Sequence, residues 1–166
     1  MSEQLIIRPA THKDVPEILE ILNFEIKNST VVYDYEERSL TQQLEWFNSK
    51  RESNMPVLIV EKDAKILGYG TFGIYRPWEA YKYSVEHSIY VCNTARGLGV
   101  GKKLMETLIS QAKNKGYHTM IAGIDAENNG SYSFHEKFGF KEVGRFNEVG
   151  YKFDRWLDLI FMQLYL

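Results

Sequence analysis

The spacing of apolar positions changes character twice along this chain and predicts most of its elements. Leu5 to Arg8 is a short apolar strand. Thr11 then caps a helix, with Asp14 three positions on as the acid of a capping box. Val15, Ile18, Leu19, Leu22 and Ile26 follow at helical spacing. A second helix starts at Ser39, where Gln42 completes a capping box, and runs through Leu44 and Phe47. The segment between them, NSTVVYDYEER, has no period and reads as a loop. After Pro56 the pattern turns to strands: Val57 to Glu61 and Ile66 to Tyr75 across the turn KDAK, then Tyr83 to Val91 after the loop RPWEAYK. Val100, Leu104, Leu108 and Ala112 mark one face of a long helix, widened by Met105 and Ile109 and ended at Gly116. Thr119 to Ile124 is a buried-type strand, Gly130 to Lys137 a short helix with Gly139 at its C-terminal end, and two strands close the chain at Lys141 to Glu148 and Trp156 to Leu164. This order predicts an α/β domain with a mixed sheet covered by helices on both faces. No linker or repeat divides the chain, so residues 1–166 are expected to be one domain.

Composition narrows the class. Hydrophobic residues at 44% and charged residues at 25% describe a soluble globular protein. Twenty basic against twenty-two acidic residues leave no basic stripe, so no nucleic-acid partner is expected. Apolar runs such as VLIV are too short to cross a bilayer, so no membrane partner is expected either. MSEQLIIRPA has no basic region followed by a long apolar one, hence no secretory signal is expected. Cys92 is the single cysteine, which excludes an internal disulfide and a C-x-x-C zinc site and fits a reducing cytoplasm; no metal is expected.

The strongest chemical signal is RGLGVGKK, Arg96 to Lys103, set between a strand and a helix. Its glycines permit positive φ and leave no Cβ between a ligand and the backbone. Exposed N–H groups at the helix start, aided by the dipole, then make a seat for a diphosphate, with Arg96 and Lys102 adding charge. A plain tight turn is the alternative for such glycines. Other phosphate loops fit worse. Arg96 stands where a Walker loop needs its first glycine, and Lys103 replaces its Ser/Thr. For a dinucleotide fingerprint the third glycine comes one residue early, after the fourth strand instead of the first.

The spacing R-x-x-G-x-G after a strand, with IRPATHKD near the start and ENNGSYSFHEKFGF at Glu127 to Phe140, resembles the GCN5-related N-acetyltransferase (GNAT) superfamily over essentially the whole chain. YRPWEAYKYSVEHSIYV and GYKFDRWLDLIFMQ look like its phosphinothricin and methionine sulfone acetyltransferases. The resemblance implies a central splayed sheet of about seven strands and acetyl-CoA as co-substrate. It further implies direct acetyl transfer without an acyl-enzyme (so Cys92 is inert) and a homodimer with the acceptor site near the subunit boundary. Carried onto this sequence, Ile89, Tyr90 and Val91 would bond the pantetheine arm between the splayed strands. Arg96, Gly97, Leu98, Gly99, Val100, Gly101 and Lys102 would hold the pyrophosphate; Asn128 would bond the pantetheine, with Ser131 beside the cofactor.

A protonated amine cannot attack a thioester, and a carboxylate near the splayed strands could take its proton, directly or through water. Glu86 shares a strand face with Ser84, Ser88 and Tyr90. An acid in the middle of a central strand is costly to bury unless used or paired, and Glu86 matches the family's proposed base. An ion pair with Arg76 or Lys82 is the structural alternative. His87 shares the apolar face, as a satisfied core histidine or a substrate contact. The family's acid for the thiolate is a tyrosine seven residues after the motif asparagine; here that position is His135, a departure that leaves the acid's identity open. Arg76 and Lys82 with Tyr75, Tyr81 and Tyr33 would frame an acceptor carrying a carboxylate, as a guanidinium suits; a solvated aromatic interface is the plain reading of the same residues. The activity implied is N-acetylation of the α-amine of a small amino acid analogue such as methionine sulfone, methionine sulfoximine or phosphinothricin. Another small amine, a protein N-terminus, or acyl-CoA binding without turnover are the alternatives.

Overall fold

Local signals build the front of the molecule, as seen in a computed structural model that describes residues 4–166. The first three residues of the expected domain lie outside the described ones. Strand β1 (Ile6–Pro9) leads through a 3-10 turn into helix α1 (Val15–Asn28). Asp14 fastens that turn: its carboxylate accepts from the Thr11 N–H at 2.7 Å and the Thr11 hydroxyl at 3.0 Å. Arg8 grips the same carboxylate at 2.8 and 2.9 Å and reaches Glu61 at 2.9 Å. The guanidinium's hydrogen bonds hold the Asp14 carboxyl down at about 2. Helix α2 (Leu40–Glu52) begins on the Ser39–Gln42 box, with reciprocal bonds of 3.2 and 2.9 Å.

The remaining elements are β2 (Val57–Lys62), β3 (Lys65–Ile74), β4 (Ser84–Val91), α3 (Val100–Asn114), β5 (Thr119–Asp125), α4 (Asn129–Lys137), β6 (Lys141–Lys152) and β7 (Arg155–Tyr165). The β2–β3 hairpin turns on Asp63 and Ala64, whose φ values of 50° and 58° are those a two-residue primed turn requires. Strand β6 runs four residues beyond Glu148, where the sequence pattern ends it. A register shift between Phe146 and Gly150 accounts for the difference: Glu148 adopts φ 51°, and its N–H is satisfied by Asp158 Oδ1 at 2.7 Å. A bulge breaks the period of two on which a sequence-based boundary depends.

All seven strands join one sheet in the order β1-β2-β3-β4-β5-β7-β6. Every pairing is antiparallel except β4 with β5. Both faces are covered, so β2 is apolar and buried from Val57 to Val60. Val57 and Ile59 join the core under α1 and α2 with Ile18, Ile26, Phe47 and Tyr69. Leu58 and Val60 join the core under α3 and α4 with Phe72, Leu104, Leu108, Met120 and Phe140. Helix α3 sits close to β3 because Gly68 has no side chain: a Cβ there would stand 2.8 Å from both the Tyr90 carbonyl oxygen and Val100 Cγ1. Among the described residues no helix is long and apolar enough to cross a membrane.

Candidate active site

The parallel neighbours β4 and β5 stay together for only three pairs, Ser84–Thr119, Val85–Met120 and Glu86–Ile121. Each strand continues, β4 along β3 and β5 along β7, but between them the sheet is open. A cavity of about 1170 Å³ fills this opening and runs from the glycine loop to the C-terminal end of α1. Because the opening passes through the sheet, residues of both faces of β4 reach it. Glu86 faces the α1/α2 side with Tyr90, which packs on Tyr69 at 5.2 Å. His87 faces the other side, 5.7 Å from Phe140.

The glycine loop closes one end. Gly97 and Gly99 have φ of 80° and 87°, the left-handed region that favours glycine. Gly99 occupies the N-cap of α3 and offers no side chain to cap it. The first helical bond runs from the Lys103 N–H to the Gly99 carbonyl at 3.1 Å, so the N–H groups of Val100, Gly101 and Lys102 have no helical acceptor. Three donors without a partner among the described residues, at the positive end of a fifteen-residue helix, fit a diphosphate. At the other side of the opening Asn128 caps α4, its Oδ1 accepting from the Ser131 N–H at 3.0 Å. Its amide N–H groups make no hydrogen bond among the described residues.

Glu86 is half-buried and forms no hydrogen bond or ion pair among the described residues; no ion pair to Arg76 or Lys82 forms. Burial raises its pKa above the ordinary carboxylate value, and the charge of Arg76 opposes the rise. Across the sheet, His87 and His135 stack with ring centroids 5.1 Å apart and Nε2 atoms at 3.0 Å. Their protons follow from their partners. His135 Nδ1 lies 2.6 Å from the Ser131 carbonyl oxygen, which can only accept, so that nitrogen carries the proton. His135 Nε2 is then bare and accepts from His87 Nε2–H. This leaves His87 Nδ1 as a buried lone pair with no partner. Burial and the neighbouring ring pull His87 down to about 3, and burial lowers His135 as well, so both rings are neutral at pH 7.

Glu86, His87, Ile89, Tyr90, Val91, Arg96, Gly97, Gly99, Val100, Gly101, Lys102, Asn128, Ser131 and His135 all line the cavity. Leu98 is 57% exposed and does not. Tyr33, Tyr75, Arg76, Tyr81 and Lys82 lie outside the wall. Tyr75 and Tyr81 meet edge to face at 5.6 Å, with the Arg76 guanidinium 4.1 Å above the Tyr75 ring, while Lys82 sits over Tyr83. Tyr33 packs against Gly150, and burial and the charge of Asp125 raise its pKa. The sequence reading overlooked Glu25, Ser29, Thr30 and Asp125, polar residues that also line the wall; Thr30 donates its hydroxyl to Asp125 Oδ2. Glu25 was detectable as an acid on the apolar face of α1, three and seven residues after Leu22 and Ile18. Among the described residues no cluster of three or more His, Cys, Asp or Glu is arranged to hold a metal ion.

Residues 16–140 match the acetyltransferase (GNAT) family. The chain is 39% identical over 161 residues to an L-methionine sulfoximine/L-methionine sulfone acetyltransferase of Pseudomonas paraeruginosa, covering 96% of this chain and 94% of that one. Its fold is similar to the crystal structure of an N-acetyltransferase from Staphylococcus aureus, with a TM-score of 0.97, 45% identity, and coverage of 98% and 99%. It is also similar to a GNAT superfamily phosphinothricin acetyltransferase from Sinorhizobium meliloti in complex with acetyl-CoA, with a TM-score of 0.95, 30% identity, and coverage of 98% and 88%.

Proposed function

Because this chain belongs to the acetyltransferase (GNAT) family, we propose that it transfers the acetyl group of acetyl-CoA to the α-amine of a small amino acid of the methionine sulfone, methionine sulfoximine or phosphinothricin type. The observation that carries the chemistry is Glu86, an unpaired, half-buried carboxylate with a raised pKa where the sheet opens. Such a group suits proton removal near neutral pH. The uncapped donors of α3 and Lys102 hold the diphosphate, the open edge of β4 from Ile89 to Val91 receives the pantetheine arm, and Asn128 donates its free amide to it. That course brings the thioester between Glu86 on one face and the histidine pair on the other. Glu86 accepts the amine proton, directly or through one water, and the nitrogen attacks the thioester carbonyl. His87 and His135 are neutral, and their two N–H groups are already given to the His135 ring and the Ser131 carbonyl, so they offer the departing thiolate neither a standing positive charge nor a free donor. CoA thiolate is a stable enough leaving group to depart on those terms.

From the loop beyond the Glu86 end of β4, outside the cavity wall, Arg76 lends positive charge toward an acceptor carboxylate, as it already does at Glu86. The homologues' acceptors support an amino acid in this role. Phe146, Val149, Tyr151 and Trp156 leave an apolar, aromatic strip 45–61% exposed along β6 and β7, which we assign to a homodimer contact. The single thiol, Cys92, accords with work in a reducing cytoplasm.

The test is release of free thiol from acetyl-CoA across a panel of amines. Turnover should concentrate on methionine sulfone, methionine sulfoximine and phosphinothricin. Turnover confined to polyamines or peptide N-termini would replace the acceptor class, and tight acetyl-CoA binding with no turnover on any amine would leave a binding module.

A further inference from the structure

Two buried ionisable side chains take no part in the chemistry above, and they lie on one continuous polar path. Glu25 is 3% exposed on the core face of α1. A carboxylate there is costly unless both oxygens are engaged. Its Oε1 accepts from Arg96 at 3.0 Å, and its Oε2 accepts from the Ser29 hydroxyl at 2.6 Å. Ser29 is the C-cap of α1, and its carbonyl accepts from Lys152 Nζ at 2.9 Å. Lys152, 4% exposed at the end of β6, also donates to the Val32 carbonyl at 2.6 Å and has no carboxylate within ion-pair distance among the described residues. Its charge is met instead by the Ser29 carbonyl at the negative end of α1, by the Val32 carbonyl beyond it, and at longer range by Asp34 and Glu25. Arg96, Glu25, Ser29 and Lys152 thus link the glycine loop to the first turn of the α1–α2 connection, residues 29–38.

We propose that this path couples the two halves of the site: a diphosphate on the glycine loop orders the connection that walls the acceptor side, with Glu25 as the positioning residue. The inference rests on the cofactor reading above. The Arg96 side chain is 62% exposed and spends one terminal nitrogen on Glu25, so its remaining donors are free for a phosphate oxygen. A guanidinium held between phosphate and Glu25 loses the freedom to swing. Glu25 and the Ser29 hydroxyl lose theirs in turn, while Lys152 already fixes the Ser29 and Val32 carbonyls from the far side. Such stiffening links two sites without any change of fold. By reciprocity an ordered acceptor wall also strengthens cofactor binding.

Hydrogen exchange read by mass spectrometry, with CoA itself as the probe and no acceptor present, tests this. In the unaltered protein CoA should slow exchange in the glycine loop and, by about fivefold or more, in peptides covering residues 29–38. Glu25→Gln keeps the size of the side chain and removes the charge. Ser29→Ala cuts the path one step further on and disturbs the helix less. Both should keep protection at the glycine loop and lose it over 29–38. Equal protection of 29–38 in the variants and the unaltered chain overturns the inference. So does protection of the glycine loop alone in the unaltered chain. Absence of protection at the glycine loop itself would instead overturn the cofactor reading and the coupling together. If Glu25→Gln does not fold, Ser29→Ala decides the matter by the same readout.

Discussion

Replacing Glu86 by glutamine keeps the shape of the side chain and removes its capacity to accept a proton. A positioned general base contributes about 10² to 10⁴ in rate, so kcat/KM should fall by two to four decades, equivalent to about 3–5 kcal/mol of transition-state stabilisation. The structure makes this loss separable from unfolding. The raised pKa of Glu86 means that folding disfavours its charged form. Above the folded-state pKa that charge costs stability, and below the unfolded-state value the cost disappears. The glutamine variant should therefore melt no lower than the parent at pH 7. The assay is thiol release from acetyl-CoA between pH 5.5 and 9, at saturating cofactor and with an amino acid analogue as acceptor. The parent's acidic limb should shift to higher pH in Arg76→Met, because Arg76 is the charge that opposes the rise at Glu86. A limb belonging to the acceptor's amine would stay in place. A glutamine variant that keeps its rate within a few-fold and an unchanged pH profile would remove Glu86 as the base.

The remaining predictions concern the frame around that carboxylate. Long-range proton–nitrogen correlation spectra at pH 7 should show neutral rings with the proton on Nδ1 of His135 and on Nε2 of His87; a charged ring or the opposite tautomers would refute the proton map. Gly68→Ala forces a Cβ to within 2.8 Å of the Tyr90 carbonyl. It should cost about 1–3 kcal/mol by overpacking, seen as a lowered midpoint in urea, and an unchanged midpoint would show that α3 is free to move away. Asp14 is held at about 2 by Arg8, so its contribution is present above pH 4 and vanishes as the pH falls through that value. Asp14→Asn should destabilise on the order of 1 kcal/mol at pH 7, discounted for the partly exposed Arg8, and converge on the parent near pH 2; a constant difference at every pH would contradict the ion pair.

The sequence by itself determined whatever depends on neighbours a few residues apart. Helical spacing located α1 and α3. The Ser39 box started α2, the KDAK turn closed the first hairpin, and the glycines of Arg96 to Lys102 announced a helix start with open donors. Only the tertiary structure decided what those pieces enclose. His87 and His135 are 48 positions apart, and no period relates them; their contact exists because β4 and α4 pack on the same core. Glu86 and His87 point to opposite faces of a strand, which in a continuous sheet would separate them. The opening after the Glu86–Ile121 pair is what lets both reach one cavity. The aromatics around Arg76 read as a pocket because they cluster in sequence, yet they stack on one another outside the cavity wall. Glu25 shows the converse: its place on the apolar face of α1 was open to helical spacing but passed unread, and its partner Arg96 is 71 residues away and is reached only through the fold. Short-range patterns fix elements because backbone geometry is local, whereas a site is an agreement among elements, set by which surfaces they bury against each other.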